Sequence, residues 1–307
     1  MTTQWLYKEL TAAQLADLDR ERTLALMALS PLEVHGPHLP LGSDVLVALE
    51  LQRRLVERLG QQRPELDVLI LPPLFAGADA LPLPGSIDVD SRAIYRLLLD
   101  TGRSLAAQGF RFLLVTDNHG GPHHQIAIEK AVRRLWREHG FALLAPFNRL
   151  YERMVETDPG LLAETGTPAE ASGGDVDAHA GTNETSILLV VAPGLILPLW
   201  KTLPPRAVAE DVPIRRLMGA VAGMVRLCGG RRLARDLEHA GTLLGWTNME
   251  PMPAYIGAPA EASPEAGERM LQAHVDQAMA MLEETWAGQP PFSRPPLWSL
   301  RFLEKSR

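Results

Sequence analysis

The sequence predicts an α/β fold of three layers, α/β/α, with helices on both faces of a mainly parallel central sheet. Three observations carry this. Apolar runs of four to eight residues alternate with segments of helical period. The runs are apolar throughout rather than on every second residue, as strands covered on both faces must be. The two most polar, histidine-rich loops follow the first and third runs, and sheets of this kind place ligands at the carboxyl ends of their strands.

The elements follow in order. Residues 9–21, ELTAAQLADLDRE, predict a short amphipathic helix opened by Thr11. TLALMALS (23–30) is the first buried strand. VLVALELQRRLVERLG (45–60) has helical period and stops on Gly60. LDVLILPPL (66–74) is a second strand closed by prolines. Residues 91–109 predict a helix with Ser91 as N-cap and Gly109 as its stop. RFLLVTD (111–117) is the third strand, 124–140 a helix, and FALLAPF (141–147) the fourth strand.

The second half is less regular. Residues 157–178, rich in Gly, Pro, Ala and acids, predict a long loop that would serve as a lid. NETSILLVVAP (183–193) begins as helix, and 213–227 and 263–286 are helices. No repeat or clean linker is visible, so 1–288 is expected to be a single domain followed by a Pro-rich tail, 289–307.

Composition excludes several classes. The 307 residues carry a formal net charge of −7 with both signs interspersed, which disfavours nucleic acid as a partner. The short cluster of Arg231, Arg232 and Arg235 reads as a solvated helix face. The single cysteine, Cys228, forbids an internal disulfide and reads as a small buried hydrophobe after a helix. No apolar run is long enough to span a membrane, and MTTQWLYKELTAAQLADLDRER lacks a signal-peptide core, so a cytoplasmic protein is expected.

Six of the nine histidines fall in three stretches. These are EVHGPH (His35, His38), NHGGPHH (His119, His123, His124) and DAHAGTNETS (His179). Each stretch holds carboxylates or lies beside them. Imidazole and carboxylate donors on separate loops are what a divalent-metal site needs, because carboxylates offset the ion's charge and neutral imidazole supplies nitrogen. Glu33 and His35 are two apart, so in extended chain they point the same way, about 6–7 Å apart. Ions of a hydrolytic pair sit about 3.5–4 Å apart. Glu33 could therefore serve one ion and His35 its neighbour, with Asp44 bridging and His119 completing a shell. Against this, Ser43 or Asp44 could simply cap the helix that follows. His123 and His124 read equally as surface residues at a helix start, and His139 and His274 as solvent-facing. Ser186 reads as a helix-start hydroxyl, and no phosphate-cradling loop is present.

EVHGPHLPLGSD resembles the E-x-H-G-P-H-L-P-L-G-T-D signature of the creatininase (creatinine amidohydrolase) family. LPLPGSI (81–87) is similar to its F-P-G-T-I segment, DNHGGPHH to N-G-H-G-G-N, and HAGTNETS (179–186) to H-A-G-E-x-E-T-S. The resemblance implies a parallel-sheet α/β fold and two divalent metals per chain, zinc, manganese or iron. It also implies a homo-oligomer, commonly a hexamer. The family's members include creatininases, formamide-cleaving deformylases and a peptidase of peptide-cofactor maturation.

Carried over by motif, Glu33 and His119 would serve one metal, His35 the other, and Asp44 would bridge them. Glu184 would be a further ligand or an acid/base, and His179 falls on the mobile-loop histidine near the substrate. His38 and Asn118 would line the substrate. The chain departs from the pattern at Ala80, Asn118, Gly121, Pro122 and Thr182, and 147–178 lacks the tryptophans of creatininase proper. Gly121 stands where creatininase has a metal-binding glutamate, as in the deformylase-like members. A small-molecule amide other than creatinine is thus the expected substrate.

The expected chemistry is hydrolysis of a non-peptide C–N bond in an amide, cyclic amide or formamide, with a water whose pKa the metal lowers to about 7. His179 or Glu184 would protonate the leaving nitrogen. Two rival readings remain at this level: a two-metal esterase or phosphatase, and a non-catalytic member that binds metal or a ligand.

Overall fold

A computed structural model describes residues 3–167 and 176–302. The chain divides into two compact units. The first comprises Met1–Glu33, Gly42–Leu150 and His274–Ser293, and the second Val34–Leu41, Tyr151–Ala273 and Arg294–Arg307.

The first unit opens with β1 (Thr3–Leu6), α1 (Ala12–Asp17), β2 (Thr23–Ser30), α2 (Ser43–Gln62), β3 (Asp67–Ile70) and β4 (Leu74–Phe75). Then come α3 (Ser91–Ala107), β5 (Phe112–Thr116), α4 (Pro122–His139), β6 (Ala142–Leu144) and the start of α5 (Pro146–Val155). The strand order is β1-β3-β2-β5-β6, with β4 also paired to β2, and every pairing is parallel. The α/β class and the mainly parallel sheet are as the sequence predicts.

All eight residues of β2 are buried, which is why TLALMALS reads as one apolar run. Ala25, Met27 and Leu29 join Ile94, Leu98, Ala131 and Leu135 of α3 and α4 in one core cluster. Leu24, Leu26 and Ala28 have the opposite parity and face the other side of the sheet, and α2 packs on β2 and β5. Thr11 caps α1 with a full capping box, as expected.

Some elements differ from the sequence reading. β1 goes unread because its four residues are mostly exposed and show no burial period. The fourth strand is only three residues long, and Pro146 opens α5 rather than closing a strand. His274 is buried, not solvent-facing, and stacks on Phe147 at 5.7 Å. The first part of the Pro-rich tail is pinned: Glu129, itself buried, accepts from the Ser293 hydroxyl at 2.5 Å and the Ser293 amide at 3.1 Å. The tail's residues 303–307 lie outside the described residues.

The second unit holds the remainder of α5, α6 (Pro159–Thr165), α7 (Thr182–Val191), α8 (Pro213–Leu227), α9 (Arg231–Thr247) and the start of α10 (Pro264–Trp286). Residues 157–178, read as one loop, thus contain a helix, and 168–175, on which the lid expectation also falls, lie outside the described residues. α9 is unread in the sequence, where only its arginines register, and Cys228 at the end of α8 is exposed rather than buried. Short antiparallel bridges join His179 to Ile256 and Arg206 to Gly257. Among the described residues, no helix is long and apolar enough to cross a membrane.

Candidate functional site

In the first unit, β2 and β5 are parallel neighbours with Ala28 opposite Thr116. The residues that follow each strand therefore emerge side by side at the carboxyl end of the sheet. Ser30 and Asp117, 87 positions apart in sequence, meet there at 2.6 Å. Three residues on, the β2 loop supplies Glu33, and the β5 loop supplies His119.

Asp44 comes from the first turn of α2. The helix begins at Ser43, with Gly42 as N-cap and no side-chain cap bond, so neither Ser43 nor Asp44 is the cap. Both side chains are buried instead.

Glu33, Asp44 and His119 are all buried, with ligand atoms within 4.8 Å of one another. Each is held from outside the cluster. Glu33 Oε1 accepts from the Leu81 amide at 2.7 Å, and its Oε2 lies 3.1 Å from His119 Nδ1. Asp44 Oδ1 accepts from Asn118 Nδ2 at 3.3 Å, and its Oδ2 lies 3.4 Å from the same Nδ1. His119 Nε2 bonds the Ala78 carbonyl at 2.8 Å; a carbonyl only accepts, so this nitrogen carries the proton.

In the neutral ring, Nδ1 would thus present a lone pair to two buried carboxylates. That arrangement is unfavourable unless a cation stands between them. Burial alone would lower the His119 pKa, but the Glu33 charge and the bonds to Asp44 and Glu33 outweigh it and hold the imidazole well above its ordinary value. A proton is one cation that meets the demand. A divalent ion is the other, and two carboxylates with one imidazole nitrogen suit it.

In the second unit, His35 and His179 are buried with ring centroids 4.2 Å apart. Glu184 Oε2 lies 3.7 Å from His35 Nε2 and 3.9 Å from His179 Nδ1. His179 Nε2 donates to the Val34 carbonyl at 2.7 Å, which leaves Nδ1 on the Glu184 side. Glu184 is fixed by the Ala180 amide at 2.5 Å. His38 bonds Thr185 Oγ1 through Nε2 at 2.9 Å, and burial, with His35 and His179 nearby, pushes its pKa down to about 4. It braces α7 as a neutral ring. Gly36, with φ +64, takes the left-handed turn between the two histidines, and a Cβ there would meet His38 Nδ1 at 2.8 Å.

Each unit therefore gathers the residues the sequence selected: Glu33, Asp44, Asn118 and His119 in the first, His35, His38, His179 and Glu184 in the second. Sequence reading missed several others. Asp117 and His124 are buried behind His119, although His124 reads as a helix-start surface residue; only His123 is exposed. Asp177 holds the start of α7 by accepting from the Thr182 and Asn183 amides at 2.7 and 3.0 Å. Trp246 of α9 lies 5.6 Å from the His179 ring, an aromatic neighbour supplied from outside 147–178. No hydrophobic period signals these; the partners of His124 and Trp246 are distant in sequence, and Asp177 lies in a segment with no helical or strand pattern.

Gly121 explains one departure from the creatininase motif. A Cβ there would lie 2.4 Å from both the Ala78 carbonyl and His119 Nε2. No side chain, glutamate included, fits without breaking that bond. Gly121→Ala is expected to weaken zinc binding by at least about tenfold, by misplacing the ring. Competition against a chromogenic chelator measures this, and wild-type affinity would contradict it.

Comparison with known proteins gives the following. Residues 8–282 match the family model for creatininase, described as creatinine amidohydrolase. The chain is 34% identical over 178 residues to the mycofactocin precursor peptide peptidase of Mycobacterium ulcerans, and 30% over 176 residues to that of Mycolicibacterium smegmatis. These alignments take in 56% and 57% of this chain and 60% of each relative, so the chain spans about 60% of the length of these relatives. A creatinine amidohydrolase of Pseudomonas putida is 26% identical over 181 residues, 56% of this chain and 65% of that protein. A crystal structure of creatinine amidohydrolase (creatininase) covers 91% of this chain and 97% of its own, with TM-score 0.58 and 22% identity, and so shares the fold.

Proposed function

The chain belongs to the creatininase family, and within it we propose a metal-dependent amidohydrolase whose first divalent ion is held by Glu33, Asp44 and His119. One observation carries the reading: a carboxylate oxygen from each of Glu33 and Asp44 faces Nδ1 of His119 in a buried site, while Nε2 is tied to the Ala78 carbonyl. His35, one residue beyond Val34 from Glu33 in the chain, and Glu184 are proposed for a second ion. Two solved creatininases are described as a zinc–zinc and a manganese form, at 20% and 21% identity, so zinc and manganese are the ions to supply first, then iron.

A bound divalent ion would polarise the amide carbonyl and lower the pKa of water to about 7. The protein's own groups do the rest. The Leu81 amide, Asn118 and the Ala78 carbonyl fix the three ligands. His179 is held through Nε2, so its Nδ1, or Glu184 where it is not taken up by the second ion, is the proposed proton donor to the departing nitrogen. His38, neutral and tied to Thr185, supports α7 and the substrate side.

The proposed substrate is a small amide, cyclic amide or formamide. A second reading, hydrolysis of a peptide, is favoured by the peptidases to which the chain is 30–34% identical. A cytoplasmic homo-oligomer with 1–288 as its catalytic domain completes the proposal. The test is hydrolysis of formamides, lactams, creatinine and short peptides before and after chelation. Activity on one class, lost on chelation and restored by zinc or manganese, is expected. Turnover that survives complete removal of metal, or none on any amide by metal-loaded protein, would overturn it.

A further inference from the structure

His119 can serve a metal through Nδ1 only if its proton stays on Nε2, so something must hold that tautomer. The Ala78 carbonyl does so at 2.8 Å. Ala78 is itself held, because its amide donates to His124 Nδ1 at 3.3 Å. His124 is fully buried, and its ring stands 5.2 Å from that of His119 in a T-shaped arrangement. Since Nδ1 accepts, Nε2 must carry the proton, and it faces Asp117 Oδ2 at 3.2 Å.

Asp117 closes the circuit. Its Oδ1 accepts from the Asn118 and His119 amides at 2.8 and 3.0 Å and from Ser30 Oγ at 2.6 Å. Its Oδ2 accepts from Gln125 Nε2 at 2.6 Å, and that nitrogen also donates to the His119 carbonyl at 2.5 Å. Both partners of Gln125 are acceptors, so its amide nitrogen must point there.

We propose that His124 and Asp117 are positioning residues that fix the tautomer and aim of His119 through the main chain of Ala78. This rests on the reading of Glu33, Asp44 and His119 as metal-binding. The chain of contacts runs from the Asp117 carboxylate to the His119 main chain, its imidazole, Ala78 and His124, whose Nε2 comes back to within 3.2 Å of Asp117 Oδ2 as a close polar contact rather than an aligned hydrogen bond. A purely structural role would not need this polarity. An apolar side chain of His124's size would fill the same space but leave Asp117 buried without that contact, so stability is measured beside affinity.

The experiment compares wild type with His124→Phe, His124→Gln and Asp117→Asn. Phe removes both polar atoms. Gln keeps an acceptor for the Ala78 amide and a donor for Asp117. Asn at 117 replaces one carboxylate oxygen by a donor: at Oδ2 it removes the acceptor that His124 and Gln125 share, and at Oδ1 the one that holds the Asn118 and His119 amides and Ser30. Zinc dissociation constants come from chelator competition, stability from melting of the metal-free proteins, and the His119 tautomer from long-range proton–nitrogen NMR of histidine-labelled, zinc-bound protein.

His124→Phe and Asp117→Asn are expected to weaken zinc by about 10–100-fold. They should also mix the His119 tautomers, while His124→Gln restores most of the affinity. Wild-type affinity and tautomer in His124→Phe would overturn the positioning role and leave the metal site standing. Equal losses in Phe and Gln that track lost melting temperature would also overturn it, as would wild-type behaviour of Asp117→Asn should His124→Phe not fold. A wild-type chain that binds no zinc would instead sink the metal site, and this proposal with it.

Discussion

Replacing Asp44 by alanine is expected to lower amide hydrolysis by about 1000-fold while leaving the metal-free protein folded. Polarisation by a divalent ion is worth several kcal/mol of barrier, and each 1.36 kcal/mol is tenfold in rate. Asp44 supplies one of the three atoms that converge in the first unit, so its loss removes a ligand. The metal-free protein tolerates the change because His119 keeps its closer partner, Glu33, at 3.1 Å. Its losses include the Asn118 bond, about 1 kcal/mol, the 3.4 Å contact with His119 Nδ1, and a favourable charge in the first turn of α2, about 0.3–1 kcal/mol. Zinc-induced stabilisation should disappear with the activity. Melting curves with and without zinc check this beside the assay. A variant that loses activity but still gains full stability from zinc would contradict the role of Asp44, and one that cannot fold without metal would mark it as structural.

The second large effect is a pH dependence of opposite sign in the stability of the metal-free protein and in its affinity for metal. The folded His119 pKa lies above its ordinary value of 6.5, because Glu33 and Asp44 outweigh the effect of burial. A group raised in the folded state contributes stability that is complete below the unfolded value and lost as pH rises through the folded one. The metal-free protein should therefore weaken as His119 deprotonates and its charge is lost beside two buried carboxylates. A metal competes with that proton, so its affinity should rise about tenfold per pH unit until His119 is deprotonated in the free protein. Burial pushes the Glu129 and Asp177 carboxyls up to about 7, so they add their own slope up to neutrality and little above pH 8. Between pH 8 and 9 the metal-free melting temperature is expected to fall while the zinc-induced increase grows. His119→Gln should flatten both trends. A zinc effect that shrinks over that range would contradict the assignment.

What could be read from the sequence follows from where the information lies. β2 and β5 were legible because strands buried on both faces must be apolar throughout. β1 was not, because an exposed edge imposes no pattern on four residues. α9 was hidden by its arginines, since a helix packed along one side needs few apolar positions and shows its charges first. In the site, Glu33, Asp44 and His119 were legible because costly polar groups follow buried strands or open the next helix. Their supports were not. Ser30 meets Asp117 across 87 residues, and His124 meets Ala78 across 46, and neither pairing leaves a local trace. His124 misled for a related reason: a histidine on the first turn of a helix looks solvated until the sheet end folds over it.

The most direct test of the central claim is anomalous diffraction at the zinc edge from crystals of zinc-loaded protein. A peak is expected about 2.0–2.2 Å from His119 Nδ1 and from one oxygen each of Glu33 and Asp44, with His119 Nε2 still on the Ala78 carbonyl. Zinc bound through Nε2, or no peak there while His119 stays paired with the two carboxylates, would contradict it.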